Sequence, residues 1–206
     1  MNLLNIGCGS ARPGPPWVNV DTLYEYLGPG GQWEHAGSPS AMESIRRLRE
    51  EENYQNWDCR LKWHREGRSV EGVLMNHVLE HLDCQEALLT LKEAYRVLLP
   101  GGVLRVGVPD ASVFRRNFPE DCVENVQRLF GSGEALDPNG PKKTFMDGAL
   151  FFKEHRQVFT EDSLWCHLAN AGFRQIWRRD FGDTGLHPLA ALDNRRLFTL
   201  FMEAVK

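Results

Sequence analysis

Residues 3 to 21 combine two glycines and a carboxylate at the spacing of a nucleoside-binding turn. Gly7 and Gly9 follow a strand-like run, and Asp21 ends the next strand-like run, residues 17–21. Glycines let the backbone turn sharply and approach a ligand where a Cβ atom would collide. An acid at the end of the second strand can accept hydrogen bonds from both hydroxyl groups of a ribose. The pattern predicts a nucleoside site, with a plain turn as the alternative.

The third position of the dinucleotide fingerprint separates two classes of cofactor. Gly-x-Gly-x-x-Gly allows a helix to point its N-terminus at a pyrophosphate, but here the third position is Arg12. Prolines at positions 13, 15 and 16 disfavour a long helix after the turn. S-adenosylmethionine has no phosphate and does not need that helix, so the turn favours this cofactor over a dinucleotide. Arg12 could contact the methionine carboxylate or be solvated.

Length and composition predict a single domain with a full-sized core. The 206 residues are 42% hydrophobic and carry a formal net charge of −4. The chain therefore has no overall basic charge to attract DNA or RNA, and nucleic acid is not an expected partner. Short basic pairs are scattered, and we expect them on the solvated surface (residues 115–116, 142–143, 178–179 and 195–196).

The cysteines and the hydrophobic runs indicate the cellular compartment of the protein. Five cysteines are widely spaced and form no Cys-x-x-Cys pair, which indicates neither a disulfide framework nor a thiolate zinc site. No basic leader and no apolar run of membrane-spanning length is evident, so a membrane is not an expected partner. These observations predict a cytoplasmic location.

Strand and helix patterns alternate through the first half of the chain. Residues 56–61 are strand-like, and the apolar run over residues 70–77 predicts a buried strand. From residue 83 to 99, apolar side chains recur every three or four positions, which predicts a helix that Pro100-Gly101-Gly102 ends. Another strand follows over residues 103–108.

The second half ends in a helix and two strands. Thr160 is predicted to cap a helix that ends at Ala171-Gly172. Only a loop separates the strand-like residues 173–181 and 197–205, so these strands should be antiparallel neighbours. The alternation predicts a three-layer α/β architecture with a mostly parallel sheet.

Two segments fall outside this alternation. Residues 23–55 are rich in glycine, proline and charge, apart from a short surface helix expected over 42–52, and are interpreted as an insertion. Residues 111–155 mix a helical pattern over 113–130 with loop residues and are interpreted as a cap over one end of the sheet. Both segments would belong to one domain spanning residues 1–206.

Several stretches resemble motifs of the class I S-adenosylmethionine-dependent methyltransferases, specifically the type 11-like predicted methyltransferases. They are Leu-Asn-Ile-Gly-Cys-Gly (4–9), Val-Asn-Val-Asp (18–21), Asp-Cys-Arg (58–60), Asn-His-Val-Leu-Glu-His-Leu (76–82) and Tyr-Arg-Val-Leu-Leu-Pro-Gly-Gly-Val-Leu (95–104). The resemblance implies a Rossmann-like fold whose mostly parallel seven-stranded sheet has an antiparallel final strand. Asn5 replaces the family's usual acid, the third glycine is missing, and the N-terminal helices that often cover the site are absent.

The resemblance also implies which residues bind S-adenosylmethionine. The glycine turn would supply Asn5, Gly7, Cys8 and Gly9, and Asp21 would bind the ribose. Asp58 would accept a hydrogen bond from the adenine amine while the Cys59 N–H meets the ring. Asn76 and His77 would lie beside the methionine and the sulfonium. The structural alternatives are a strand-end acid at Asp21 and a turn aspartate at Asp58.

Methyl transfer requires an aligned acceptor and, for a hydroxyl or amine, loss of a proton. His77, His81 and His155 are candidate bases, because histidine titrates near neutral pH. A structural hydrogen-bonding role is the alternative for each. Asp110, at the end of a predicted strand, is a candidate for holding the acceptor.

His77, Glu80 and His81 also spell the inverted zinc-protease motif His-x-x-Glu-His. In a metallohydrolase the two histidines would bind zinc and Glu80 would activate water. Such ligands need one continuous helix, whereas the predicted strand runs directly into His77, and no third ligand is evident from spacing. No metal is therefore expected.

Together these features predict S-adenosylmethionine-dependent methyl transfer to the oxygen, nitrogen or carbon of a small-molecule acceptor. The alternative is a protein that binds this cofactor without transferase activity. Monomer and homodimer are both left open.

Overall fold

A seven-stranded sheet is the centre of the computed structural model, which describes residues 1–8, 12–21, 53–113, 155–193, 196 and 199–206. The strand order across the sheet is β3-β2-β1-β4-β5-β7-β6. The strands are β1 (Leu3–Ile6), β2 (Trp17–Asp21), β3 (Tyr54–Asn56), β4 (Val70–Asn76), β5 (Leu98–Pro109), β6 (Gln175–Arg179) and β7 (Thr199–Val205).

Strand direction decides where a ligand can bind. Strands β1 to β5 pair in parallel, whereas β7 is antiparallel to both of its neighbours, β5 and β6. The carboxyl ends of the five parallel strands therefore meet at one edge, where open α/β sheets bind their ligands. This arrangement confirms the predicted fold class.

Two helices pack on one face of the sheet, and both begin at capped residues. Helix α1 (Cys84–Val97) begins after Asp83, whose side chain accepts a hydrogen bond from the Glu86 N–H while the Glu86 carboxylate accepts one from the Asp83 N–H. Helix α2 (Glu161–Ala171) begins after Thr160 and ends at Gly172, whose φ of 114° is left-handed. The helix starts and stops read from the sequence at Asp83, Thr160 and Gly172 are confirmed.

The core lies mainly between this sheet face and the helices. Leu91 of α1 and Leu164 of α2 are completely buried and belong to the same core cluster as Val73 and Val106 of the central strands. On the opposite face, Leu3, Trp17, Leu74 and Val103 form a smaller cluster with Leu189, the first residue of a 3₁₀ turn, Leu189–Leu192. Alternate residues of β4 thus face opposite layers, as a sheet buried on both faces requires.

A buried ionic network holds this second layer to the sheet. Arg105 of β5 is fully buried, and its Nε atom donates to Asp193 Oδ1 at 2.8 Å. Its Nη1 atom lies 3.1 Å from Oε1 of Glu203, the residue opposite it on β7. Arg179 Nε donates to the other Glu203 oxygen at 3.1 Å. The network ties residues 180–193 to the two strands.

Two local predictions are wrong, and a third is confirmed only in part. Strand β3 is Tyr54–Asn56 instead of residues 56–61, because the Asp58 side chain accepts a hydrogen bond from the Arg60 N–H and closes a turn there. Pro100-Gly101-Gly102 lies inside β5, since the helix already ends at Val97. In the pair Arg178-Arg179, Arg178 lies on the surface as expected and Arg179 is half-buried, and both side chains form ion pairs, with Asp110 and Glu203 among their partners.

Other expectations fall partly outside the described residues. The helical patterns over 42–52 and most of 113–130 lie there, as do the basic pairs at 115–116 and 142–143. Residues 54 and 55 of the expected insertion belong to β3. The described cysteines are free thiols (Cys8, Cys59, Cys84 and Cys166). Within the described ranges, no helix has the length and apolar character needed to cross a bilayer.

Candidate cofactor and acceptor site

The turn after β1 requires glycine at position 7 for two independent reasons. Gly7 has a φ of +66°, a conformation that L side chains rarely adopt. A Cβ atom built there would also lie 2.4 Å from Cγ2 of Val78. The N–H groups of Gly7 and Cys8 both donate to the carbonyl oxygen of Val20, at 2.8 and 3.1 Å. Gly9 lies outside the described residues.

Asn5 holds the turn through a second asparagine. The Asn5 side chain is buried, and its Nδ2 atom donates to Asn19 Oδ1 at 3.1 Å. Asn19 Nδ2 donates in turn to the Pro13 carbonyl at 2.9 Å, and Asn53 Nδ2 donates to the same oxygen at 2.7 Å. An amide at position 5 therefore suits this chain of hydrogen bonds, because it leaves the Asn19 amide free to donate to the loop.

Asp21 and the Asp58 turn lie on neighbouring strands. Asp21 is the last residue of β2, and its carbonyl accepts a hydrogen bond from the Tyr54 hydroxyl of β3 at 3.1 Å. Burial raises the pKa of the Cys59 thiol to about 12, and the carboxylates of Asp58 and Asp21 add to the rise. The ribose acid and the adenine turn expected from the sequence are thus electrostatically coupled.

The Asp58 carboxylate is already bound by a guanidinium. Arg60 Nε lies 2.9 Å from both Asp58 oxygens, and this hydrogen bonding lowers the pKa of Asp58. Behind the turn, the Cys59 carbonyl accepts hydrogen bonds from Trp63 Nε1 at 2.9 Å and from the Thr90 hydroxyl at 3.1 Å. The turn is therefore preorganised, and the Arg60 guanidinium favours the ionised form of the Asp58 carboxylate.

Asn76 presents an unpaired acceptor at the end of β4. Its Nδ2 atom donates to the Leu192 carbonyl at 3.0 Å, but the buried Oδ1 atom has no hydrogen-bond partner among the described residues. The Oδ1 atom lies over Gly107 of β5, where a Cβ atom would be only 2.5 Å from it. A buried carbonyl oxygen without a donor is unfavourable, so this atom suits a ligand N–H group.

His77 has both ring nitrogens engaged. Its Nδ1 atom lies 2.9 Å from Glu80 Oε1, and its Nε2 atom lies 3.2 Å from the Thr199 hydroxyl of β7. Its backbone is left-handed, with a φ of 57°, and its N–H donates to the Gly107 carbonyl at 2.8 Å. This geometry favours the structural alternative over the role of a base.

The other two candidate histidines lie together. His81 ends a 3₁₀ turn, Leu79–His81, that follows β4, and His155 is a buried residue far along the chain. Their rings meet edge to face with centroids 4.8 Å apart. The ligand atoms of Glu80, His81 and His155 all lie within 4.8 Å of one another. This group differs from the ligand set of the zinc-protease motif, because it contains His155 in place of His77.

Asp110 is buried and already paired. Its Oδ1 atom accepts a hydrogen bond from the Ser112 N–H at 2.8 Å, and Oδ2 lies 3.3 Å from Arg178 Nη2. The residue bridges to Phe159, which brings the segment before α2 against the end of β5. Its proposed role in holding an acceptor would compete with these contacts.

Sequence reasoning missed two residues that organise the site. Asn19 is completely buried. Its signal in the sequence is that it is a polar residue between Val18 and Val20 of a strand-like run. Thr199 carries no local signal, since its contact with His77 joins strands distant in the sequence.

The strand order, with one antiparallel strand between β5 and β6, defines the fold class of the S-adenosylmethionine-dependent methyltransferases. A family model described as a methyltransferase domain matches residues 36–106, which include β3, the Asp58 turn, β4 and α1. The match over residues 36–106 and the strand order confirm the resemblance to the class I methyltransferases. S-adenosylmethionine is the cofactor that such a domain implies.

Solved structures agree on the fold. An S-adenosylmethionine-dependent methyltransferase from Thermotoga maritima, described as a possible histamine N-methyltransferase, has a TM-score of 0.54 and 19% identity, and the alignment covers 100% of this chain and 82% of that one. One from Archaeoglobus fulgidus has a TM-score of 0.54 and 15% identity, with 100% and 86% covered. One from Methanosarcina mazei has a TM-score of 0.55 and 17% identity, with 100% and 92% covered. No curated protein matches the sequence.

Proposed function

We propose that this protein binds S-adenosylmethionine at the carboxyl edge of its sheet and transfers the methyl group to an oxygen, nitrogen or carbon of a small molecule. The observation that carries the proposal is the unpaired, buried Oδ1 atom of Asn76 at the end of β4, on the same sheet edge as Asp21. The cofactor bears an ammonium group and two ribose hydroxyls, and these donors match an amide oxygen and a carboxylate.

The binding residues would divide the cofactor between neighbouring strands. Asp21 would accept hydrogen bonds from the ribose, and the turn at Asp58 and Cys59 would meet the adenine edge. Gly7 would keep the backbone clear of side-chain atoms, and Asn76 would accept from the amino group of the methionine. Asn5 would act indirectly, because its amide is used by Asn19.

The bound cofactor supplies a methyl group already activated by positive sulfur, so the protein mainly has to align the acceptor. His77 would hold the end of β4 against β7, since both of its nitrogens are engaged. His81 and His155 would be left as the candidate proton acceptors, with Asp110 as a candidate contact for the acceptor. Residues 23–55 and 111–155 would cover the site within one domain spanning residues 1–206.

Calorimetric titration with S-adenosylmethionine and with its demethylated product tests cofactor binding. Asp21→Ala should weaken binding by about 1.5–3 kcal/mol, or roughly 10- to 150-fold, because hydrogen bonds to a charged group are lost. Asp162→Ala is the matched control, since Asp162 is an exposed acid in the first turn of α2. An unchanged Kd for Asp21→Ala would remove this residue from the site, and tighter binding of NAD would remove the proposal.

A cofactor-binding protein without transferase activity is the second candidate. It is supported by the engagement of the acid and base groups, because His77 and Asp110 are both held by protein partners. Incubation with cofactor labelled on its methyl group and a broad panel of small amines, phenols and acids separates the two candidates. Label recovered in an acceptor supports transfer, whereas tight binding with no labelled product supports the second candidate.

The cellular setting completes the proposal. A cytoplasmic location agrees with four described cysteines that remain thiols. A small molecule is the proposed acceptor, with neither nucleic acid nor a membrane as partner.

A further inference from the structure

Glu80, His81 and His155 form a cluster of ligand atoms that methyl transfer itself does not require. One atom from each side chain lies within 4.8 Å of the other two. Two imidazoles and one carboxylate are the ligand types that bind zinc and iron in proteins, and three protein ligands leave further coordination positions open. Glu80 and His155 are both buried, so solvent competes weakly for them.

The Glu80 carboxylate is incompletely satisfied. Only 1% of the residue is exposed, and its Oε1 atom is held by His77 Nδ1. The Oε2 atom is buried and has no hydrogen-bond partner in the part of the chain that the structure describes. Burying a carboxylate oxygen without a partner is costly, and a cation would remove that cost. The hydrogen bond from His77 would orient the carboxylate, as groups behind metal ligands commonly do.

The backbone holds His155 against the turn that carries the other two ligands. The N–H groups of Arg156 and Gln157 donate to the Glu80 carbonyl at 2.7 and 3.3 Å, and Gln157 Nε2 donates to the Leu79 carbonyl at 3.0 Å. The Arg156 guanidinium is bound by Glu86 at 3.1 Å. The segment therefore brings an imidazole to Glu80, while the guanidinium of the next residue, Arg156, is paired with another acid.

We propose that Glu80, His81 and His155 bind one divalent transition-metal cation at the carboxyl end of β4. This site differs from the zinc-protease arrangement, because Glu80 is a ligand and His77 supports it. The open coordination positions would accept an oxygen or nitrogen ligand. The proposal concerns metal binding alone and is tested by metal binding alone. A bound cation would occupy a ring nitrogen of His81 and of His155 and would remove both from the candidate proton acceptors.

Cobalt is the probe for the first experiment, because its visible spectrum distinguishes imidazole and carboxylate ligands from thiolates. The purified 206-residue chain, stripped with a chelator, should bind one equivalent of Co²⁺ without a thiolate charge-transfer band. Zn²⁺ should then displace it with the same stoichiometry in calorimetry. Absence of binding by the folded chain would overturn the proposal.

Variants locate the site. His81→Gln and His155→Gln should each weaken Co²⁺ binding by at least about tenfold, since each loses one ligand. His81→Gln alters a partly exposed side chain, so its fold should survive and can be checked by circular dichroism. His187→Gln, an exposed histidine elsewhere, should leave affinity unchanged. Unchanged affinity in both cluster variants would overturn the proposal.

A second pair of possible metal ligands, one thiol and one imidazole, needs its own control. Cys84 Sγ lies 3.5 Å from His167 Nε2 and could bind a soft cation. Cys84→Ser should leave the one-equivalent Co²⁺ signal intact. Loss of that signal in Cys84→Ser would assign the metal to Cys84 and His167 and overturn the proposed site.

Discussion

Glu80 Oε1 lies 2.9 Å from Nδ1 of His77, so the acid of one turn holds the histidine that directly follows the preceding strand. The opposite nitrogen of His77 meets Thr199 on β7. This histidine thus joins β4, the turn after it and the antiparallel strand. The contact bears on the function because it engages a histidine that the sequence analysis named as a candidate base.

Replacing His77 should act mainly on stability. His77→Ala removes two hydrogen bonds at a partly buried site and leaves Glu80 with one donor fewer, which should cost about 1–3 kcal/mol. Urea denaturation measures the change. If stability were instead unchanged while the pH dependence of methyl transfer lost one ionisation, the structural role would be wrong and the base role correct.

Replacing Gly7 with alanine should lower the free energy of unfolding by more than the strained backbone conformation alone explains. Gly7→Ala adds both a strained φ and a clash with Val78, whereas Gly101→Ala adds only the first, because Gly101 has a φ of +80° and open space around it. Each strained backbone costs about 1–3 kcal/mol, and Gly7→Ala should exceed Gly101→Ala. Adding Val78→Ala to Gly7→Ala separates the clash from strain by double-mutant analysis. Equal costs at the two glycines would contradict the packing.

Restoring the family's acid at position 5 should destabilise this chain. Asn5→Asp removes the amide that donates to Asn19 and places a carboxylate in a buried position. We expect a loss of about 1–3 kcal/mol near neutral pH. Burial raises the pKa of a carboxyl, so the loss should shrink as the pH falls and the group becomes protonated.

The matched control for this change is Asn56→Asp, at an exposed position at the end of β3. Surface substitutions usually stay within about 0.5 kcal/mol. Thermal unfolding at neutral and acid pH measures both variants. A more stable Asn5→Asp protein at neutral pH would show that the amide chain from Asn5 to Pro13 is not needed.

Removing Arg105 should be among the most damaging single changes. Arg105→Met leaves the carboxylates of Asp193 and Glu203 buried without their cation, and breaking such pairs costs about 3–5 kcal/mol. Arg174→Met, at an exposed position, is the control. Denaturant midpoints measure both. A small effect at Arg105 would mean that Arg179 alone can neutralise the pocket.

Thiol reactivity should separate Cys59 from the exposed cysteines. With its pKa raised to about 12 by burial, Cys59 stays protonated at mildly alkaline pH and should resist iodoacetamide, while Cys84 and Cys166 react. Mass spectrometry after short labelling identifies the modified thiols, and labelling in guanidinium shows that Cys59 can react. Equal labelling in the native state would contradict this environment.

The raised pKa of Cys59 also determines how the free energy of unfolding changes with pH. The pKa of Cys59 is higher in the folded chain than its ordinary value of 9.0, so the folded state keeps its proton longer. This thiol therefore contributes stability that is complete below about pH 9 and declines towards about pH 12. Cys59→Ala should flatten the decline of the unfolding free energy in this window.

Features set by neighbouring residues could be predicted from the sequence. Helix α1 follows from the apolar residues that recur every three or four positions, of which Ala87 and Leu91 are completely buried. The carboxyl edge of the sheet, and with it Asp21 and Asn76, follows from the strand order that the resemblance implied.

Features set by distant residues could not be predicted. The end of α1 depends on Leu98, which pairs with Val70, and on Lys206, whose ammonium donates to the Leu98 carbonyl at 2.8 Å. The same limit applies to the candidate metal ligands. His155 meets Glu80 only because the backbone after it is bonded to that turn, and no spacing in the sequence encodes this contact.

The position of β7 has a consequence for synthesis. This strand follows β6 in the sequence but lies between β5 and β6 in the sheet. Strand β6 is therefore synthesised before β7, the strand that connects it to β5. Until β7 arrives, the apolar edge of β5 is an open template for another nascent chain. Slow translation just before residue 199 should therefore lower the yield of native protein through aggregation, even though the finished fold is unchanged.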